Sequence, residues 1–202
     1  MYFWREDFEL MNAVASGAAA TPAWADYAAF CLNVERGLRR EAFARLTSFI
    51  SMLERAPFEE RKHFTSWLLH RTYRREGRHK LTPHPLKICI IEPTLLEWTI
   101  VEPLNPEPHL WLGGYDHLKQ ALDLEPSDQR ARKELIIEVL SQVSNDAHEL
   151  PIGYLGAPEQ DLEVLTEAEE LLLGLSNLEE RSAYALEIRD VRRSIEEYLR
   201  KR

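Results

Sequence analysis

The sequence predicts an all-α protein of eight to ten antiparallel helices packed as helical hairpins, and three observations carry that expectation. Apolar residues recur at three- and four-residue spacing along nearly all of the 202 residues, the period of one face of an α-helix. Helix punctuation stands where those stripes begin and end, at Thr21-Pro22, Gly37, Ala56-Pro57, Pro126 and Ser176-Asn177. The run richest in β-branched residues, Leu86-Lys87-Ile88-Cys89-Ile90-Ile91, has no second convincing strand to pair with, and an isolated strand is not stable.

Residues 3–14 read as a short amphipathic helix with Phe8 and Met11 inward. Thr21-Pro22 starts the next, a hydroxyl capping free amides ahead of a proline whose missing N–H costs nothing at the first helical position. Trp24, Tyr27, Ala28 and Cys31 form its stripe, and Gly37 suits its end. Ala42, Leu46, Phe49, Ile50 and Leu53 mark a third helix. A fourth begins at Ala56-Pro57, carries Phe64, Trp67, Leu68 and Arg71, and runs to Gly77. Thr82-Pro83-His84-Pro85 is an extended breaker, since proline disfavours helical backbone in the residue before it. Residues 85–101 then read as helix, kinked or restarted at Pro93, with Leu95, Leu96, Trp98 and Ile100 buried; a short strand over 86–91 stays open as the alternative.

Pro103, Pro106 and Pro108 read as a rigid connector over 103–110, between an N-terminal helical region (1–102) and a C-terminal helical-hairpin region (111–202), the whole forming one continuous globular unit. Trp111, Tyr115, Leu118 and Leu122 lie on one helical face, closed by Pro126. Ser127 or Asp128 caps the following helix, whose inward positions are Ala131, Leu135, Val139 (or Leu140) and Val143. A loop containing Pro151, Gly153, Gly156 and Pro158 leads to a helix over 159–174 that buries Leu162, Leu165, Ala168 and Leu172. Ser176-x-x-Glu179 and Asn177-x-x-Glu180 both fit a capping box. The last helix follows on Tyr184, Ile188, Val191, Ile195 and Tyr198.

Composition bounds the class. With 45% hydrophobic residues and 29% charged, the chain is too apolar for disorder and too polar for a membrane protein. Two cysteines, Cys31 and Cys89, exclude a disulfide scaffold and a cysteine-built zinc site; both are expected to be reduced, buried small hydrophobes. Acids sit among the aromatics of residues 1–8, unlike a secretory leader, and the longest uncharged run is too short and polar to span a bilayer. A cytoplasmic protein with no membrane partner is expected. The formal net charge of −9 divides into −4 over residues 1–35, +7 over 36–80 and −12 over 81–202. The basic segment is expected to pack beside acidic ones and be neutralised; the alternative is an electrostatic binding face.

Residues 111–135 resemble the junction between tetratricopeptide repeats. A small residue (Ala121) lets two helices approach, a proline (Pro126) ends the second helix of one unit, and a capped helix with a small residue (Ala131) and a leucine (Leu135) begins the next. The stretch Trp111-Leu112-Gly113-Gly114-Tyr115 is compressed relative to the repeat's first helix, and no second copy follows at a 34-residue period. The resemblance implies an α-solenoid-like C-terminal half that binds another protein in a groove. The wider stretch 103–175 also resembles a group of bacterial helical proteins without an established activity, which implies a bacterial source.

Motifs for chemistry are sparse. Glu60-x-x-His63 and Glu76-x-x-His79 match the carboxylate–histidine spacing of di-iron bundles, but the second is interrupted by Gly77. His63 and His70 lie beside Arg71, Arg74 and Arg75, which would repel a cation. Asp116-His117 and His148-Glu149 are neighbours that a helix would not turn toward one another. No nucleophile elbow, Cys-x-x-Cys, His-Glu-x-x-His or phosphate loop occurs. No catalytic residue, metal ligand or cofactor is therefore assigned. The binding candidates are Arg71, Arg74 and Arg75 in the basic segment 61–80, Tyr115 at the repeat-like junction, and His148 and Tyr154 in the glycine-containing loop after residue 145. The resulting expectation is a non-enzymatic helical protein–protein interaction module, an adaptor or an acidic neutralising (immunity-type) protein whose partner is another protein. A nucleic-acid-associated protein using segment 61–80 is the lesser alternative, an enzyme with a His/acid site a further one. Paired amphipathic helices can close a homodimer as readily as a monomer core.

Overall fold

The computed structural model describes residues 5–75, 78–150 and 152–201. They form an all-α structure with no strand among them, and the chain divides into two compact units, Met1–Pro103 and Leu104–Arg202. Among the described residues no helix is long and apolar enough to cross a membrane.

The first unit contains α1 (Arg5–Ala19), a 3₁₀ turn (Pro22–Trp24), α2 (Ala25–Glu35), α3 (Arg39–Leu53), α4 (Phe58–Thr72), α5 (Arg78–Leu81), α6 (His84–Leu86), a π-helical turn (Lys87–Ile91) and α7 (Glu92–Val101). Consecutive helices pack on each other, α1 on α2 and α2 on α3, while α4 packs on α7. Buried aromatic rings from three helices meet at its centre: Tyr27 and Phe64 edge-on with centroids 5.0 Å apart, Phe49 and Phe64 at 4.7 Å. The fully buried Tyr27 hydroxyl donates to Leu81 O at 2.8 Å, which ties the segment after α4 to α2 and removes the cost of an unpaired buried donor. Gly37 ends α2 as its spacing predicts. With φ +74° it occupies the left-handed region, while its amide donates to Val34 O and that of Leu38 to Asn33 O, the paired bonds of a Schellman ending.

Five details in this unit correct the sequence reading, and a sixth, helix over 84–101, agrees with it. Helix α1 continues past Val14 to Ala19, with Met11 buried and Phe8 half-buried; residues 1–4 lie outside the described chain. Thr21 makes no side-chain cap, and a 3₁₀ turn precedes α2. Helix α4 stops at Thr72, where Tyr73 turns extended and Arg74 takes φ +51°; Gly77, the expected stop, lies outside the described residues, as does Glu76. Residues 84–101 are continuously helical, which settles 86–91 as helix rather than strand. The Pro93 irregularity is a π turn in which the Glu92 amide bonds back to Lys87 O: Pro93 has no N–H for the carbonyl four residues before it, and the wider turn absorbs the mismatch. Leu96 and Ile100 are 50% and 78% exposed, because Thr94, Leu95 and Trp98 take the inward face and Leu96 and Ile100, four residues apart, share the opposite one. Cys89 is only half-buried; Cys31 is fully buried, and burial pushes its thiol up to about 12.

The second unit contains α8 (Glu107–Leu112), α9 (Tyr115–Leu124), α10 (Gln129–Asp146), α11 (Pro158–Leu173) and α12 (Leu178–Lys201). Neighbours in sequence pack together, and α12 also reaches α10. The core joins Ile136, Val139, Leu140 and Val143 of α10 to Leu165, Ala168 and Leu172 of α11 and Ile188 and Ile195 of α12. Val139 and Leu140 are thus both inward. Ala121 and Ala131, the small residues of the repeat-like junction, are fully buried where α9 meets α10. Asp128, not Ser127, caps α10, its carboxylate accepting from the amides of Arg130 and Ala131 at 2.7 and 3.1 Å. Asn177, not Ser176, caps α12, accepting from Glu179 and Glu180.

The expected connector over 103–110 is helical in its second half: Glu107–Leu112 is α8, with Pro108 buried in its first turn, where proline is tolerated. Trp111 does not share a helix with Tyr115. Gly113 and Gly114, at φ +69° and +73°, break the chain between α8 and α9. Leu162 is half-buried rather than buried, and Pro151 lies outside the described residues.

Candidate functional site

The first unit holds a cavity of about 420 Å³ between the α2–α3 turn and the segment carrying α5. Its apolar lining is Phe30, Val34, Phe43 and Pro83, with Gly37 at the turn. Phe30 is fully buried and meets Phe43 edge-on at 6.1 Å. Arg39, His79 and Lys80 supply cationic or ionisable groups around the same cavity, and the Arg39 guanidinium lies 5.7 Å from the Phe43 ring centre. Two local causes shape it. The Schellman ending lets Gly37 turn the chain sharply from α2 into α3. The Tyr27–Leu81 hydrogen bond holds the α5 segment against α2. The volume lies within the range that accepts a small molecule or a bulky side chain.

None of the sequence-predicted site residues is among those that line this cavity: Arg71, Arg74 and Arg75 belong to the first unit, and Tyr115, His148 and Tyr154 to the second. Arg71 lies in the last turn of α4 with its guanidinium 5.3 Å from the Trp67 ring centre, close to Gly17 of α1. Arg74 donates from Nε to the Tyr73 hydroxyl at 3.0 Å and lies over the same ring. Arg75 is exposed. Two other cations of the basic segment pair with carboxylates of their own unit. Arg61 pairs with Glu97 at 2.7 Å, and Lys62 pairs with Glu102 while lying 4.8 Å from the Trp98 ring centre.

In the second unit Tyr115 donates to Glu167, and Lys119 Nζ bonds Glu167 at 2.7 Å and the Tyr115 hydroxyl at 3.3 Å. The bond to Glu167, then burial, raises Tyr115; burial would raise Glu167, but the bonds from Lys119 and Tyr115 outweigh it and hold it low. Tyr154 donates to Asp161 Oδ2 at 2.5 Å and stacks on Tyr198 at 6.0 Å. Asp161 is only 5% exposed. Burial raises its carboxyl, the Tyr154 bond pulls it back, and Asp146 adds to the rise. His148 is exposed, with Nε2 3.0 Å from Glu149. The two meet because residues 147–150 form a turn, not the helix that would have kept neighbours apart.

Sequence reasoning missed two arrangements. The cavity draws on residues 30–43 and 79–83, too far apart for any local motif. Its one signal is Phe43, an aromatic residue off the buried stripe of α3. His109 and His117, eight residues apart across Gly113-Gly114, bring their Nδ1 atoms within 3.1 Å. Burial, then His117, lowers the pKa of His109. Among the described residues no group of three or more His, Cys, Asp or Glu side chains converges as a metal cluster. Comparison of the chain with protein-family models, with curated proteins and with solved structures finds no match.

Proposed function

We propose that this chain is a non-enzymatic helical interaction module, working in the bacterial cytoplasm, that holds an apolar, acid-flanked segment of another protein in the cavity of its first unit. The cavity lining carries the reading. Phe30, Val34, Phe43 and Pro83 would desolvate an aliphatic or aromatic anchor, and Arg39, His79 and Lys80 would meet a carboxylate beside it. Among the described residues, the same lining contains no carboxylate, hydroxyl or thiol to stand beside His79 as a catalytic pair. The tetratricopeptide-like junction at 111–135 points the same way, toward a scaffold that binds rather than reacts. The pairing of Arg61 and Lys62 with glutamates of their own unit weighs against the nucleic-acid alternative, since phosphate binding needs cations available to phosphates.

Peptide selection on the intact chain tests this. Enriched peptides are expected to share an apolar residue next to Asp or Glu, and Phe43→Ala or Arg39→Glu to weaken them at least tenfold. Enrichment of basic peptides, or binding indifferent to both substitutions, rejects the cavity as the site.

A second reading rests on charge. Helix α11 carries six acidic residues and no basic one, with Glu159, Glu163 and Glu170 exposed. That surface favours a basic partner, as in a neutralising or immunity-type protein. Such an encounter would slow steeply as salt rises, whereas anchoring in the apolar cavity would depend on salt only weakly.

A further inference from the structure

We propose that His109 and His117 form a two-imidazole site for a late first-row divalent cation, Cu²⁺ or Zn²⁺, at the α8–α9 hairpin. The rings present their Nδ1 edges to one another, with Nδ1 atoms 3.1 Å apart and ring centres 5.3 Å apart. Two nitrogens bound to one ion at about 2.0–2.1 Å lie about 2.9 Å apart at a right angle and about 3.4 Å apart at the tetrahedral angle. The observed separation falls between these values, and rotation of the two rings would turn their Nδ1 lone pairs from one another toward a shared ion.

The spacing is built into the hairpin. Gly113 and Gly114 both take left-handed backbone, which reverses the chain in two residues and sets His109 of α8 against His117 of α9. The Gly113 amide bonds His109 O and the Leu118 amide bonds Gly114 O, fixing the backbone on both sides of the turn. Both rings are half-buried, which limits their motion yet leaves a path for an ion. Without an ion, one imidazole donates Nδ1–H to the other's Nδ1 lone pair. On binding, the donor ring shifts to its Nε2–H tautomer through solvent, and both Nδ1 lone pairs turn to the ion; no net proton is released. With no third protein ligand in a cluster among the described residues, water fills the remaining positions, and binding is reversible rather than structural.

Purified, chelator-treated full-length chain titrated with copper(II) sulfate and, separately, zinc chloride tests the site. One ion per chain is expected, and the copper form should show a spectrum split by two equivalent-class imidazole nitrogens. His109→Ala and His117→Ala should each weaken binding at least tenfold, while His84→Ala, on another element, should leave it unchanged. To separate lost binding from lost fold, ¹⁵N spectra of the unsubstituted chain should show zinc moving the Nδ1 resonances of these two histidines and of no others. Absence of binding, a one-nitrogen spectrum, or zinc-induced shifts at other histidines overturns the proposal.

Discussion

Thr65 on α4 and Thr94 on α7 are fully buried, and neither hydroxyl has a hydrogen-bond partner. A buried hydroxyl left unpaired opposes folding, so Thr65→Val and Thr94→Val, which keep the shape, should each raise the free energy of unfolding by about 1 kcal/mol. Urea denaturation of the two variants checks this; a loss of stability in either would mean that its hydroxyl is satisfied. Asp161 poses the opposite case, a buried carboxyl that has a partner and still titrates high. Burial, reinforced by Asp146, raises it more than the Tyr154 hydrogen bond lowers it. The folded chain therefore holds this proton more tightly than the unfolded chain. Its contribution to stability is greatest in acid, falls as pH rises from the ordinary carboxylate value of about 3.9 through the raised folded value, and is level above that. Tyr154→Phe removes the bond to the carboxylate and should cost about 1–3 kcal/mol at pH 7. In more acidic solution, where a larger share of folded Asp161 is protonated, the cost should shrink. Equal losses at pH 7 and in acid would show that the substitution acts through the Tyr198 stack instead.

Among the elements, α10 shows how local chemistry fixes a boundary. Asp128 Oδ1 takes two otherwise unpartnered amides at its start, so Asp128→Ala should cost about 1 kcal/mol, against little for Ser127→Ala, with thermal unfolding as the measure. This helix was legible to within one residue of its cap, Ser127 or Asp128, because stripe, cap and preceding proline all agree. The apolar stripes of α2, α3, α11 and α12 were legible too, although α2 starts after a 3₁₀ turn and without the Thr21 cap its start predicted. Legibility failed where one residue type serves two purposes. Proline reads as a breaker, but Pro93 is absorbed by a π turn and Pro108 sits in a first turn, and both depend on backbone bonds that no pattern of side chains records. Two glycines in left-handed backbone split what looked like one apolar face into α8 and α9. In the candidate cavity Gly37 was legible as a helix end. Arg39, His79 and Lys80 were not, because segments far apart in sequence meet there, with the buried Tyr27–Leu81 hydrogen bond helping to hold them. Histidine searches at helical spacing likewise passed over His109 and His117, which face each other across a turn.

At the scale of the whole molecule, the division at Pro103 separates charge as well as packing. Residues 1–103 carry a formal net charge of +1 and residues 104–202 a net charge of −10, so nearly all the acidity of the chain belongs to one unit. Each unit also has its own apolar centre: buried aromatics around Tyr27 and Phe64 in the first, and the aliphatic core of α10, α11 and α12 in the second. At about a hundred residues each, both are within the size at which a single core sustains a fold. Expressed separately, residues 1–103 and 104–202 should each be helical by circular dichroism and unfold cooperatively on heating. A gradual, dye-binding melt of either fragment would show that its core is incomplete alone. The separation also divides the two binding readings. If the cavity is the site, fragment 1–103 alone should retain acid-flanked apolar peptides with near-full affinity and only a weak dependence on salt. If the acidic surface dominates, fragment 104–202 should retain a basic partner instead and lose it as salt rises, because its attraction is summed over many screened charges rather than over one buried anchor.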